Sequence, residues 1–558
     1  MKMPPFDSSF LLQRRDARLS RRQVLQGFSV AAAAGVASKL TASSVLASPV
    51  GTPQANAAPK AGGAWTIGIA QEPDTLDPHV TGAAITQAIM RNVCDPLIAK
   101  DLNGKYVPGL ASAWTVSTDG LTWDFTLRSD VTFQDGTPFN ADAVKASLDR
   151  IKDPATKSAG ASSALGPVAS VIVTGPHAVQ LKLSQPFAPL LDGLTNSGFI
   201  AIVSPAALAK AGSDFGRKPV STGPFMIDEW QSGDHITLKK NPNYKWAPSF
   251  LHQGGAAYLD SIKFRIIVED ASRTASFQAG EINELTVPST DVDSIKQSGQ
   301  YWTVDFLRKG VTFLEFNVTK APFDNLQVRQ AFNSAVDKQA VLNAAVQGLG
   351  IIADGFLSPS IAGYWPGITD YAPKYDKTKA GQLLDAAGWT LNGATREKGG
   401  QPFKFTLYNL KTDAWDRAVQ VIQSQLKDIG VQMDIQDFEF GTLLQKAEAG
   451  EHSMEMMGYT YPIPDIAYLW FDSANIGTGL NLSHDKDPKL DALIEKSRAT
   501  LDETARDQVF QDLQKYLVDQ AIWVPLWIDN FTEAYDRSLQ GAEFHPDGYT
   551  VYFDAWLG

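Results

Sequence analysis

The segment from residue 107 to residue 151 constrains the fold more than any other part of this 558-residue chain, because it contains one complete structural unit. Its stretch LTWDFTLR, at 121–128, alternates apolar and polar side chains, which predicts a strand with one buried face. The preceding Asp119 and Gly120 are typical of a hairpin turn. Asn140 is placed to cap a helix, one face of which carries Val144, Leu148 and Ile151. A hairpin followed by a short amphipathic helix is therefore expected.

Strand and helix patterns alternate along the rest of the chain. Alternation of this kind indicates an α/β protein with a partly parallel sheet. Strands are predicted at 64–70, 257–268, 310–317, 403–408 and 431–437. Helices are predicted at 271–279, 378–387, 414–429 and 504–517.

The N-terminus resembles an export signal. Residues 20–25, SRRQVL, resemble the twin-arginine motif, and a mildly apolar run follows at 27–37. That run is about half of the ~20 apolar residues that a membrane-spanning helix needs. Cleavage after Ala57 would leave a mature chain from Ala58, with Ala47 as the alternative site, and no cysteine lies nearby to carry a lipid. We expect passage through the twin-arginine machinery and release into the periplasm.

The charge of the mature chain excludes polyanionic partners. The full sequence has a formal net charge of −12, whereas the segment 1–57 holds seven basic residues against two acidic ones. Removal of that segment therefore takes the net charge to −17. Such a surface repels nucleic acid and anionic lipid, and no basic stripe interleaved with aromatics offsets it.

No local motif indicates chemistry. The single cysteine excludes an intrachain disulfide, and the seven histidines show no metal-ligand spacing. A nucleophile elbow, a P-loop and a dinucleotide fingerprint are also absent from the sequence. We therefore expect no cofactor, no metal site and no enzymatic activity, although catalytic carboxylates from distant segments would leave no local pattern.

Three blocks give the chain a family resemblance. They are the strand exit QEPDTLDP at 71–78, the unit at 107–151 and the turn STGPF at 221–225. Together they resemble the large solute-binding proteins that serve peptide and nickel ABC importers, the extracytoplasmic solute-binding family 5. The resemblance extends from Trp65 to Trp556.

The resemblance implies a particular architecture. It is an α/β, two-lobed periplasmic-binding-protein fold of type II, in the large peptide-binding class, with an extra subdomain in lobe I and a hinge between the lobes. The implied division is lobe I at 58–105 and 196–308, its subdomain at 106–195, lobe II at 309–525 and a return to lobe I at 526–558.

The resemblance also implies a function. Two lobes that close around a small organic solute would present it to the permease subunits of an importer, and the protein would act as a monomer. Di- or oligopeptides are the expected cargo, with an opine, an oligosaccharide or a metal chelate as the alternative. Two rivals stay open: a periplasmic hydrolase or transferase, and a sensory or chaperone-like receptor on the same scaffold.

The predicted site lies between the lobes. Peptide-binding relatives carry a W-x-x-D-Y-x-D/E-P stretch whose first Asp pairs with the ligand's α-amine, and it aligns with residues 459–466. Pro462 occupies the position of that Asp, so either Asp465 takes over the amine or the ligand has none. Glu72 and Asp74 are candidates for a cationic group of the ligand. The candidates for stacking on a solute are Trp415, Phe440, Tyr459, Tyr461, Trp470 and Trp527.

Overall fold

The computed structural model describes residues 58–558 except 159, 253, 462 and 478. The predicted signal peptide at 1–57 lies outside the described residues. The strands up to residue 307 are β1 (Ala64–Ile69), β2 (Ile98–Lys100), β3 (Tyr106–Pro108), β4 (Ala111–Val116), β5 (Thr122–Leu127), β6 (Val168–Gly175), β7 (Ala178–Leu183), β8 (Phe225–Gln231), β9 (His235–Lys240), β10 (Ser261–Ile266), β11 (Glu284–Thr286) and β12 (Trp302–Leu307). The later strands are β13 (Thr312–Phe316), β14 (Gly350–Ile352), β15 (Thr390–Asn392), β16 (Thr395–Lys398), β17 (Gln401–Pro402), β18 (Lys404–Leu410), β19 (Gln432–Phe438), β20 (Met454–Gly458), β21 (Trp523–Tyr535), β22 (Leu539–Gln540), β23 (Glu543–His545), β24 (Tyr549–Val551) and β25 (Trp556–Leu557).

The helices lie between these strands. Those up to residue 307 are α1 (Ala84–Met90), α2 (Ala141–Lys152), α3 (Gly160–Leu165), α4 (Leu190–Thr195), α5 (Pro205–Ala211), α6 (Asp270–Gln278) and α7 (Val292–Ser298). The later helices are α8 (Leu326–Ala335), α9 (Lys338–Val346), α10 (Ile368–Tyr371), α11 (Lys377–Ala386), α12 (Asp413–Lys427), α13 (Phe440–Glu448), α14 (Ile466–Phe471), α15 (Pro488–Ala499) and α16 (Glu503–Gln520). Short 3-10 turns lie at Pro154–Thr156, Gly212–Arg217 and Ser473–Asn475.

A twelve-stranded mixed sheet runs through both halves of the molecule. Its order is β19-β18-β20-β13-β21-β11-β1-β10-β9-β8, and β12 and β14 also pair with β21. Strand β21 belongs to both halves, because its first residues pair with β13 and its last with β11 and β12. We call the half built around β1 and β8–β12 lobe I and the half built around β13–β20 lobe II. The fold is thus two-lobed and α/β, as predicted, whereas the residue boundaries of the lobes stay a prediction.

The unit at 107–151 folds as predicted. Strands β4 and β5 form the hairpin, and Gly120 takes a positive φ of 71° in its turn. The Asn140 side chain caps α2 by accepting the Ala143 N–H at 3.0 Å. Strands β4-β5-β7-β6 make a separate four-stranded sheet beside the main one, and α2 packs on it. Its apolar face joins the lobe I core.

The strands and helices predicted in lobe II are also confirmed. Strand β18 is parallel to both β19 and β20, as the alternation of strands and helices indicated. One difference concerns β13, where the alternating sequence is typical of a strand with one exposed face. Every residue of β13 is buried, because apolar cores cover both faces of the lobe II sheet.

Candidate ligand-binding cleft

The chain crosses between the lobes twice, first between β12 and β13 and then within β21, and the two crossings lie side by side. The Arg308 N–H donates to the Asp529 carbonyl at 2.9 Å, and the Arg308 guanidinium lies 2.7 Å from the Asp529 carboxylate. The Trp527 indole N–H donates to the same carboxylate at 2.9 Å. A short, paired connection of this kind is the geometry of a hinge, because few backbone angles must change when the lobes move.

The lobes touch each other away from the hinge. The Ala188 N–H of lobe I donates to the Arg498 carbonyl of lobe II at 2.7 Å, and the Arg498 guanidinium lies 5.3 Å from the centre of the Phe187 ring. The Tyr461 and Ser163 hydroxyls lie 3.3 Å apart across the cleft. Leu501 packs against the lobe I core. This is a closed arrangement of the two lobes.

Among the predicted aromatic residues, Tyr461 is the one that directly bridges the lobes. Its N–H donates to the Lys309 carbonyl at 2.7 Å, which holds it beside the first crossing. Tyr459, two residues earlier, is buried and donates its hydroxyl to the Phe356 carbonyl. Trp415 is half-buried between the two lobe II cores. Phe440, Trp470 and Trp527 are buried in those cores.

Asp465 is bound within the protein. It is 8% exposed, and Arg498 Nε donates to its carboxylate at 2.9 Å. Burial raises the pKa of Asp465 to about 7, against the opposing attraction of Arg498. The Arg498 guanidinium also stacks on the Tyr468 ring at 3.8 Å. Asp465 therefore already has a cationic partner.

The two acidic candidates of lobe I follow β1. Glu72 accepts the Trp230 indole N–H at 2.8 Å and the Gly233 N–H at 3.0 Å, so it anchors the β8–β9 hairpin. Slight burial opposes ionisation, but hydrogen bonds from these groups and from Ser232 lower the pKa of Glu72. Asp74 is exposed and accepts the Thr81 hydroxyl at 2.9 Å. A contact of either residue with ligand stays a prediction.

The structure also assembles charged residues that the sequence did not single out. We call them the basal charge cluster; its members are Arg91, Lys100, Asp192, Lys309 and Asp547. Lys100 Nζ lies 2.5 Å from the Asp192 carboxylate, and Lys309 Nζ pairs with the Asp547 carboxylate. The members are spread over more than 450 residues of sequence, so no local pattern joins them.

Burial and mutual proximity perturb this cluster. Burial lowers the pKa of Lys309, and the nearby cations Lys100 and Arg91 lower it further, whereas Asp547 opposes them. Burial works against ionisation of Asp547, but the attraction of Lys309 and Lys100 holds its pKa well below the usual range. The two lysines therefore favour the ionised form of Asp547.

The described part of the chain offers neither a metal-binding cluster nor a candidate membrane span. Within it, no three His, Cys, Asp or Glu side chains converge in a way that suits a metal ion. No helix in the same residues combines the length and apolar character that crossing a membrane requires.

The fold and the cleft define a class: a two-lobed protein that closes on a solute between its lobes. Residues 105–477 match the family model described as bacterial extracellular solute-binding proteins, family 5 Middle. The chain belongs to this solute-binding family.

The relatives are binding proteins. The chain is 30% identical to the glutathione-binding protein GsiB of Escherichia coli K12 over 495 residues, which cover 87% of this chain and 92% of that protein. It is similar to AgaA of A. tumefaciens R10, solved with agropinic acid, at 25% identity and a TM-score of 0.69, over 89% of this chain and 99% of AgaA. NikA of Brucella suis, solved with Fe(III)-EDTA, shares the fold at 24% identity and a TM-score of 0.77, over 89% of this chain and 100% of NikA.

Proposed function

We propose that this chain is the periplasmic substrate-binding subunit of an ABC importer, which captures a small organic solute and delivers it to a membrane permease. The geometry of the paired crossings is the main support for this proposal. They connect two separately packed lobes through one short connection, so rotation there opens and closes the cleft without disturbing either core. The proposal includes twin-arginine export, a monomeric state and no catalytic activity.

The relatives support a proposal for the class of cargo. Glutathione and agropinic acid are the solutes named for two of them, which supports a peptide or an opine-like compound for this chain. An oligosaccharide or a metal chelate is the alternative. The proposed contact residues are Glu72, Asp74, Trp415, Phe440, Tyr459, Tyr461, Asp465 and Trp527, and the position of Tyr461 between the lobes supports it most directly.

The test begins with the mature protein, purified from the periplasm of its own host and examined by native mass spectrometry. We expect a bound solute, and at about 100 times its Kd that solute should stabilise the fold by roughly 2.7 kcal/mol. Deletion of the gene should abolish uptake of the same solute. Conversion of the solute by the purified protein would instead favour the hydrolase or transferase, and binding without any loss of uptake would favour the receptor.

A further inference from the structure

The basal charge cluster contains one more cation than it has acids. Lys100 is paired with Asp192 and Lys309 with Asp547, which leaves Arg91 at the end of α1. Among the residues that the structure describes, the Arg91 guanidinium has no ion pair and no side-chain hydrogen bond. At the edge of the cluster, Arg506 and Glu503 of α16 contribute one charge of each sign, so the surplus is unchanged.

Arg91 is held in place without using its hydrogen-bond donors. Its guanidinium lies 4.3 Å from the centre of the Tyr549 ring, and that ring stacks on His545 at 4.5 Å with an interplanar angle of 15°. A cation–π contact orients the guanidinium, but its N–H groups still require acceptors. Arg91 is half-buried, so water satisfies these donors only in part.

The cluster lies beside the first crossing. Lys309 is on that crossing and pairs with Asp547, two residues before the Tyr549 ring on which Arg91 stacks. The Lys309 carbonyl accepts the N–H of Tyr461. Tyr461 in turn reaches Ser163 of lobe I. A solute that reaches the first crossing beneath this contact would therefore lie beside the cluster that contains Arg91. It would not meet a free acid at Asp465, which is paired with Arg498.

We propose that the cargo is an organic acid and that one of its carboxylates binds the Arg91 guanidinium, beside Lys309, at the base of the closed cleft. This inference rests on the proposed function and specifies its substrate class. The planar fork of an arginine donates two parallel hydrogen bonds to a carboxylate, which an ammonium group does not do. A solute anchored by an amine alone finds no equivalent partner at this position.

The test compares capture of solutes from a small-molecule extract of the host by the mature protein and its variants, with identification by mass spectrometry and Kd by calorimetry. Arg91→Gln removes the charge, and Arg91→Lys keeps the charge but loses the fork. Arg537→Gln is the matched control, because Arg537 is exposed in lobe I and also stacks on an aromatic ring, Trp302, at 4.5 Å. Thermal unfolding of each unliganded variant checks that it folds.

We expect the wild type and Arg537→Gln to capture a carboxylic acid with equal affinity. Arg91→Gln should bind the same acid at least about 30-fold more weakly, the lower end of the effect of truncating one partner of a buried charge pair. The Kd of Arg91→Lys should lie between that of the wild type and that of Arg91→Gln. Capture of a solute without an acidic group, or an unchanged Kd in Arg91→Gln, would overturn the inference and leave the proposed function standing. Failure of the wild type to capture any solute would overturn both.

Discussion

Exchange of Glu455 for glutamine will remove a large pH dependence from the stability of lobe II. Glu455 on β20 and Glu315 on β13 lie opposite each other in register, and both are fully buried. None of their four carboxylate oxygens has a hydrogen-bond partner among the described residues. Burial raises the pKa of Glu455 to about 8, and burial together with the charge of Glu455 raises the pKa of Glu315.

The sign and size of the effect follow from proton linkage. In the unfolded chain Glu455 titrates near its ordinary pKa of 4.5, whereas the folded protein keeps the proton up to about pH 8. Between these values the folded state binds more protons, so the free energy of unfolding falls as pH rises, by about 1.4 kcal/mol per pH unit. From about pH 5 to about pH 8 the loss from Glu455 alone is about 4 kcal/mol. Glutamine has no proton to lose. Relative to the wild type, the free energy of unfolding of Glu455→Gln should therefore rise by about 4 kcal/mol between about pH 5 and about pH 8.

Denaturant titrations at a series of pH values measure this difference directly. Glu439→Gln serves as the control, because Glu439 is exposed in the same lobe, and its curve should run parallel to that of the wild type. Buried His452 adds a pH dependence of the opposite sign below about pH 6.5, because burial lowers its pKa to about 3 in the folded protein, but this contribution is common to the wild type and both variants and cancels in the difference between them. Parallel curves for Glu455→Gln and the wild type would mean that Glu455 is ionised in the folded protein, and the reasoning would be refuted.

Three further substitutions test other contacts. Asn140→Ala removes the cap of α2 and will lower the free energy of unfolding by about 1 kcal/mol in a denaturant titration. Arg498→Gln leaves the buried Asp465 without its partner and will cost about 3–5 kcal/mol in the same assay, most of which the added change Asp465→Asn will restore. Tyr461→Phe removes the hydroxyl that meets Ser163, so stopped-flow release of the bound solute will be roughly 2- to 10-fold faster, as the loss of one hydrogen bond predicts. An unchanged value in any of these measurements would contradict the contact concerned.

The secondary structure could be predicted from the sequence because its signals lie in neighbouring residues. Asn140, the apolar spacing after it and the turn at Gly120 define the first hairpin and helix within about 30 residues. The partly parallel sheet of lobe II followed from the order of strands and helices, since parallel neighbours need a crossover between them.

The candidate site was predictable only in part. The sequence singles out Tyr461 because a local stretch resembles a known motif, and the structure places it between the lobes, whereas its contact with a solute stays a prediction. The partner of Asp465 could not be predicted, because Arg498 lies 33 residues away in sequence. Arg91 was missed for the same reason: only the fold brings it to residues of the first crossing and of the C-terminal segment. The pairing of Glu315 with Glu455 was equally hidden, since an alternating strand does not reveal that its second face is covered.

Closure and selection by charge have a common physical origin in this cleft. When the lobes close and Tyr461 meets Ser163, each charge that loses contact with water interacts more strongly with its neighbours, because the effective dielectric constant around it falls. An unpaired Arg91 then destabilises the closed form without solute, whereas a bound carboxylate removes that penalty and favours closure. The net charge of −17 predicted for the mature chain does not oppose this, because salt at physiological strength screens exposed charges beyond about 8 Å. The acid that neutralises Arg91 is therefore also the signal that shifts the equilibrium between the lobes.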